Sequence, residues 1–340
     1  MWITHTFRPH TPFWLDSRVR IRFNRRMDTA TQPRYYTPSA QPSYRHRPEE
    51  RHAETIAAAR PQPAYGRDGP PGLPSGVSVA TTCHNIVVCT AASGGIGLSA
   101  LAAIVSRRLA ERELPCALVD VDFGAGGIDV LLGIEGESGT RFESLDAPLG
   151  QIDGKALGRD LPVWDGVHVL ASNPWNGAAP DWWQTQAAIR ALADTNRAVV
   201  VDAGRGELID TMPELGAAAQ LVLAELSVLG LARAKRHIRR LQQGANIEAD
   251  DARGERDVGR RRMMVVGAQP HGTSRLADAV SLDDAEEYLG VPVAGCVRAN
   301  PKLCSDVLSG LGIGALNRSG RRVADGICDW IDGLLAGASS

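Results

Sequence analysis

Ile86-Val-Val-Cys-Thr-Ala-Ala-Ser-Gly94-Gly95-Ile-Gly97-Leu98-Ser99-Ala-Leu-Ala-Ala103 is the stretch that decides the fold of this 340-residue chain. It runs from a β-branched segment through a glycine turn into the apolar-periodic start of a helix. Glycines at such a turn let backbone N–H groups converge on an anion, and the helix dipole adds partial positive charge. The segment therefore reads as a phosphate cradle spanning Ser93, Gly94, Gly95, Ile96, Gly97, Leu98, Ser99 and Ala100. Ser99, just inside the helix, has a hydroxyl suited to Mg²⁺. A tight turn that serves helix–strand packing alone is the competing reading of the three glycines.

Working outward, β-branched runs alternate with helical patterns, the signature of βαβ units. The runs are Ile86–Thr90, Ala117–Val121, Val167–Ala171, Ala198–Asp202, Gln220–Leu226, Met263–Ala268 and Val291–Val297. Helical patterns fall at Leu98–Arg112, Trp182–Asp194, Gly230–Gln243, Leu282–Leu289 and Arg321–Leu335, and Gly244–Arg260 reads as an exposed polar loop. The runs are nearly continuous apolar segments, as parallel strands covered on both faces require. The expectation is an α/β domain over residues 77–340, with a mostly parallel sheet of about seven strands flanked by helices.

Two strands end in carboxylates, where α/β sheets present their ligands. One ends Val119-Asp120-Val-Asp122; the other ends Val201-Asp202-Ala-Gly204. Asp202 is suited to reach Mg²⁺ and Asp122 to orient a water or the magnesium shell, which makes Asp122 the candidate catalytic residue and Ser99, Asp122 and Asp202 the candidate magnesium set. For Asp120 a purely structural role in bracing its loop stands beside the functional one.

The set resembles the MinD/ParA family of deviant P-loop ATPases, in particular its CpaE/TadZ-like and septum-site-determining-like branch. The resemblance covers about Asn85 to Leu335. The family pattern is K-G-G-x-G-K-[ST], then D-x-D, then a hydrophobic run ending D-x-G. In that frame Ser93 stands at the signature lysine, Leu98 at the P-loop lysine and Ser99 at the magnesium-binding hydroxyl; Asp120 and Asp122 match D-x-D, and Asp202 and Gly204 match D-x-G. The segment Leu282-Asp-Asp-Ala-Glu-Glu-Tyr-Leu-Gly-Val-Pro-Val also looks like this branch. The asparagine that the family often uses for adenine is replaced by Gly267-Ala268-Gln269.

The resemblance implies a SIMIBI-type P-loop fold, ATP and Mg²⁺ as cofactors, and a homodimer. It also implies a role in positioning septum, Tad pilus or secretion machinery from the cytoplasm, with peripheral contact at the inner membrane face. It further implies a degenerate loop. Lysine is nearly absent from the chain, occurring as Lys155, Lys235 and Lys302. Leu98 supplies no charge to the β- and γ-phosphates, and Ser93 cannot cross a dimer interface to the partner's nucleotide. Electrostatic stabilisation is usually the largest catalytic term, so the two losses cost several kcal/mol at the transition state. Weak or absent hydrolysis is the expectation, with a nucleotide-free scaffold as the rival. A reading from another class starts from Ala92-Ser-Gly-Gly-Ile-Gly97, which also looks like the turn of short-chain dehydrogenases; no tyrosine here precedes a lysine by four, so that family's catalytic pair is missing.

Composition sets the outer bounds. Hydrophobic residues make up 44%, enough for a full core, and the net charge of −2 excludes binding nucleic acid through bulk positive charge, so no specific nucleic acid partner is expected. No apolar run reaches a transmembrane span, and the N-terminus lacks the pattern of a secretory signal. The six cysteines are scattered with no C-x-x-C pair, as in a reducing cytosol. Residues 1–76 differ from the rest: they hold 12 arginines, 6 acids and 11 of the 20 prolines, whereas the remainder nets −8. This stretch reads as a disordered basic tail. Its Arg18, Arg20, Arg22, Arg25 and Arg26, interleaved with Phe13, Trp14 and Phe23, suit anionic lipid or an acidic partner; a solubilising linker, or a frame that starts at Met27, are the alternatives.

Four smaller features have readings of their own. Cys83 and Cys89 flank the first strand as core thiols, and His271 caps a loop. Trp182-Trp183 is a partner-binding knob or, more simply, one buried and one half-exposed ring. In Arg321–Leu335 an apolar stripe faces Asp325, Asp329 and Asp332 on the polar side, charges that anionic lipid repels; the expectation is that this helix packs on the sheet.

Overall fold

The computed structural model describes residues 84–124, 127–173, 175, 179–245, 262–270, 272 and 279–337. The tail over 1–76 with Met27, together with Cys83, His271 and the loop 246–260, lies outside the described residues. The described residues all belong to one unit, 69–340.

Eight strands form one sheet: β1 Ile86–Ala91, β2 Cys116–Asp120, β3 Val163–Trp164, β4 Val167–Leu170, β5 Ala198–Asp202, β6 Ala219–Glu225, β7 Met263–Ala268 and β8 Val293–Val297. Their order is β3-β4-β2-β5-β1-β6-β7-β8. Every pairing is parallel except β3 with β4. The seven expected runs are all present. The eighth strand, β3, pairs with β4 through a two-residue turn, where Asp165 (φ 45°) and Gly166 (φ 84°) take the left-handed conformations that such hairpins need.

The helices at the expected patterns are α1 Leu98–Ala110, α4 Trp182–Thr195, α6 Val228–Ala245, α7 Leu282–Leu289 and α9 Arg318–Gly337; further ones are α2 Ile128–Leu132, α3 Gly154–Asp160, α5 Pro213–Ala217 and α8 Pro301–Leu308. Strand β1 lies at the sheet centre and shows why both faces are apolar. Its Ile86 and Val88 join one core with α4 and α6, while Val87 and Cys89 join the other with α1 and α9. Ser227 starts α6: its hydroxyl accepts the Gly230 N–H (3.0 Å) and its carbonyl the Leu231 N–H (2.8 Å).

The last helix lies on α1 and β8. Ile327, Cys328 and Ile331 are fully buried beneath it. Its acidic face meets the arginines of α1 and of the turn after it: Arg108 bonds Asp325 at 2.6 Å, and Arg112 bonds Asp329 at 2.9 Å and Asp332 at 2.7 Å. The charges that oppose lipid binding are therefore turned to the domain's own arginines. Among the described residues no helix is long and apolar enough to cross a membrane. Of the tryptophan pair, Trp182 packs on the core and Trp183 is exposed.

Candidate functional site

The turn after β1 opens at the C-terminal edge of the sheet, between the ends of β5 and β6. Gly95 (φ 74°) and Gly97 (φ 91°) adopt left-handed backbone, which L side chains adopt only with strain. No atom lies within 4 Å of where a Cβ on either would stand, so the turn is open on its outer side. Gly97 is the N-cap of α1, and no side chain caps that end. The first N–H groups of the helix are thus left for a partner outside the chain's own capping chemistry.

Ser93 and Leu98 differ in what they offer. The Ser93 hydroxyl is buried, at 9% residue exposure, and makes no hydrogen bond among the described residues. A buried unpaired hydroxyl is costly unless a ligand or water satisfies it. Leu98 points instead into the apolar core shared by α1 and α9, as does Ile96. The backbone of the turn and Ser93 are available to an anion; the side chain at position 98 is not.

Adjacent strand ends bring the carboxylates to this turn. Asp202 pairs in register with Asp120 on one side and Cys89 on the other. Asp202 is buried beside Ser99 and accepts the Gly204 N–H at 3.1 Å. Burial raises its pKa and the Asp122 charge adds to the rise, while the Ser99 hydroxyl and the Gly204 N–H oppose it. Asp122 is half-buried and its carboxylate lies against Gly204 (φ 54°), where a Cβ would overlap it. The glycine of D-x-G is therefore required by Asp122 itself.

Asp120 accepts three backbone N–H groups, from Asp122 (3.0 Å), Gly127 (3.2 Å) and Ile128 (3.3 Å). Its structural role is thus explicit: it ties the loop after β2 to the strand. Burial pushes its carboxyl up to about 7, with Asp202 adding to the rise and the three N–H groups opposing it.

The group that the resemblance implies fits this arrangement in part. No cluster of three His, Cys, Asp or Glu side chains among the described residues is placed to hold a metal. Magnesium at phosphate sites needs only one or two protein ligands, since phosphate oxygens and waters complete the octahedron. Ser99 beside Asp202, with Asp122 next to it, fits magnesium bound together with a phosphate rather than in a protein cage.

Sequence reasoning overlooked Arg205. Its guanidinium comes within 3.4 Å of where a Cβ on Gly94 would stand. The loop that carries it is held by Arg240 of α6, which donates to the carbonyls of Arg205 (2.9 Å) and Gly206 (3.0 Å). Nearby, His237 Nε2 and Thr90 Oγ1 of β1 are 2.9 Å apart. Burial, with Arg240 beside it, lowers the His237 pKa to about 4. A groove of about 820 Å³ runs from Ala91 and Ala92 past Arg205 to Arg233, Arg236 and Arg239. The basic run Arg233-Ala-Lys-Arg-His-Ile-Arg-Arg240 was visible in the sequence; its position beside the phosphate turn was not. Gln269, at the position the family gives to adenine recognition, uses its side-chain oxygen to accept the Ala299 N–H at 3.2 Å.

No protein-family model matches the chain. It is similar to the septum site-determining protein MinD of Synechocystis sp., 24% identical over 220 residues, which span 65% of this chain and 78% of that protein. Among solved structures, the MinD cell division protein of Aquifex aeolicus matches with a TM-score of 0.53 at 17% identity, covering 73% of this chain and 97% of that one. A ParA family ATPase of Chlorobium tepidum matches with a TM-score of 0.51 at 16% identity, covering 74% and 98%. Glycine turn, paired strand-end carboxylates, parallel sheet and these likenesses together give the chain the MinD/ParA-type P-loop fold.

Proposed function

We propose that the chain is a MinD/ParA-like, ATP-binding localisation or regulatory protein that hydrolyses ATP slowly or not at all. The supporting observation is the buried Ser93 hydroxyl, without a hydrogen-bond partner among the described residues, in an uncapped glycine turn that leads to Ser99 beside Asp202. In this reading the backbone from Ser93 to Ala100 holds the phosphates, and Ser99, Asp122 and Asp202 hold or surround Mg²⁺. Magnesium supplies charge neutralisation at the phosphates when bound. Asp122 orients the water, and Leu98 leaves the loop without the charge that fast turnover needs.

The biological role in this proposal is positioning of a division septum, the role in the printed name of the Synechocystis relative, or of a Tad pilus or secretion machine, the role the sequence resemblance implies. The protein would act as a homodimer in the cytoplasm, with residues 1–76 as a separate basic tail suited to a membrane surface or an acidic partner. A second reading, a scaffold with no nucleotide, is favoured by one observation: Leu98 is committed to the apolar core.

Equilibrium titration with a fluorescent ATP analogue, with and without Mg²⁺, separates the two. The proposal expects saturable binding that Mg²⁺ strengthens and Gly95→Val abolishes, with phosphate release close to the blank. Absence of binding favours the scaffold. Turnover comparable to lysine-bearing P-loop ATPases, lost in Asp122→Ala, contradicts the weak-hydrolysis reading.

A further inference from the structure

We propose that Arg205 is the side-chain cation that meets the nucleotide's phosphates in this loop, from the far side of the turn, where Leu98 supplies none. This rests on the nucleotide reading above and extends it to a residue outside the loop motif.

A phosphate cradle of backbone N–H groups neutralises part of a polyphosphate's charge, and a side-chain cation normally completes it. The chain's lysines are poorly placed for this. Lys155 opens α3 and Lys302 lies in α8. Lys235 lines the same groove as Arg205 but is engaged at its far end, over the Tyr288 ring at 4.2 Å from the centroid and donating to the Tyr288 carbonyl. Arg205 is placed well: its guanidinium lies against Gly94 of the turn, is exposed, and makes no salt bridge among the described residues.

The backbone under Arg205 is built to keep it there. Gly204 (φ 54°) and Gly206 (φ 74°) flank it, so the chain turns sharply on both sides. Arg240 holds the carbonyls of Arg205 and Gly206. The same loop follows directly from Asp202 at the end of β5, so Arg205 lies three residues from the candidate magnesium carboxylate. A planar guanidinium presents parallel N–H groups to phosphate oxygens, a geometry lysine lacks. Further along the groove, Arg233, Arg236 and Arg239 extend the positive field that favours an anion at Arg205. The ligand class is the polyphosphate of a nucleotide, the chemistry a guanidinium recognises.

Isothermal titration of the full chain with ATP plus Mg²⁺, at several salt concentrations, tests this. Arg205→Ala should weaken ATP binding by about tenfold or more, as loss of a charged hydrogen bond implies, and should flatten the salt dependence of affinity. Arg205→Lys should recover part of both, separating lost charge from lost structure. Arg159→Ala, an exposed arginine on α3, should bind as the unmodified chain does. Circular dichroism checks that each variant is folded. If the unmodified chain binds ATP and folded Arg205→Ala binds it equally well, with unchanged salt dependence, the assignment of Arg205 is wrong and the nucleotide reading stands. If the unmodified chain binds no ATP, the nucleotide reading fails and this assignment falls with it.

Discussion

Single residues at the strand ends and in α6 carry opposed proton linkages. Asp120, with its carboxyl raised to about 7, keeps a proton that the unfolded chain releases near pH 4. Its contribution to stability therefore falls as pH rises through that interval, and Asp202, also raised, acts with the same sign. His237 runs the other way. Its pKa is lowered to about 4, so the unfolded chain takes up a proton below about 6.5 that the fold refuses. Neutral His237 thus contributes above pH 6.5 and loses that contribution as pH falls toward 4. Urea unfolding at pH 4.5, 6 and 7.5 should show the advantage of the unmodified chain over His237→Gln shrinking steadily on acidification; an advantage that grows in acid contradicts the assignment. Gly204 gives a second residue-level expectation. Alanine there meets both a left-handed backbone and the Asp122 carboxylate, so Gly204→Ala should cost about 2 kcal/mol. It should also weaken any magnesium effect on nucleotide binding. A thermal midpoint within a degree of the unmodified chain would show that Asp122 does not need that space.

Helices and strands show what local sequence encodes and what it does not. The phosphate turn was legible because glycine spacing and a helix start are local, and the seven longer strands because continuous apolar runs mark parallel sheets. Strand β3 spans two residues between Pro162 and the turn at Asp165-Gly166, too short for any period to register. Helices α2, α3 and α5 have five to seven residues, two turns or fewer, whereas α8, with eight, is as long as α7, which was legible. A local signal did exist for α8: Asn300 accepts the Leu303 N–H and Pro301 occupies the first helical position. Arg205 escaped notice for another reason. Its contact with Gly94 crosses from β5 to β1, neighbours in space with over a hundred residues between them. The amphipathic stripe of α9 was legible as well, and its docking gives a contrast. Ile331 is fully buried, so Ile331→Ala should cost about 2–5 kcal/mol. Asp325 is about one-third exposed and its pair with Arg108 is screened, so Asp325→Ala should cost under about 1 kcal/mol. Paired denaturation curves check both; equal losses would mean that charge, not burial, fixes α9 to α1.

For the molecule as a whole, the question is whether this P-loop fold still works as a switch. A ligand shifts an equilibrium only by its differential affinity for the two states. With Ser93 in place of a lysine that would cross to a partner's nucleotide, that difference should be small. Light scattering at matched protein concentration should therefore give the same oligomeric state with and without Mg²⁺-ATP, and conversion of monomer to dimer by nucleotide contradicts this. The central claim is simpler still: the turn from Ser93 to Ala100, which contains no lysine, holds a nucleotide. The most direct measurement is the thermal unfolding midpoint against rising Mg²⁺-ATP. Ligand at about a hundredfold excess over its dissociation constant stabilises the native state by about 2.7 kcal/mol, which raises the midpoint of a domain this size by several degrees. The account predicts that rise in the unmodified chain and none in Gly95→Val; a flat midpoint up to millimolar Mg²⁺-ATP would contradict it.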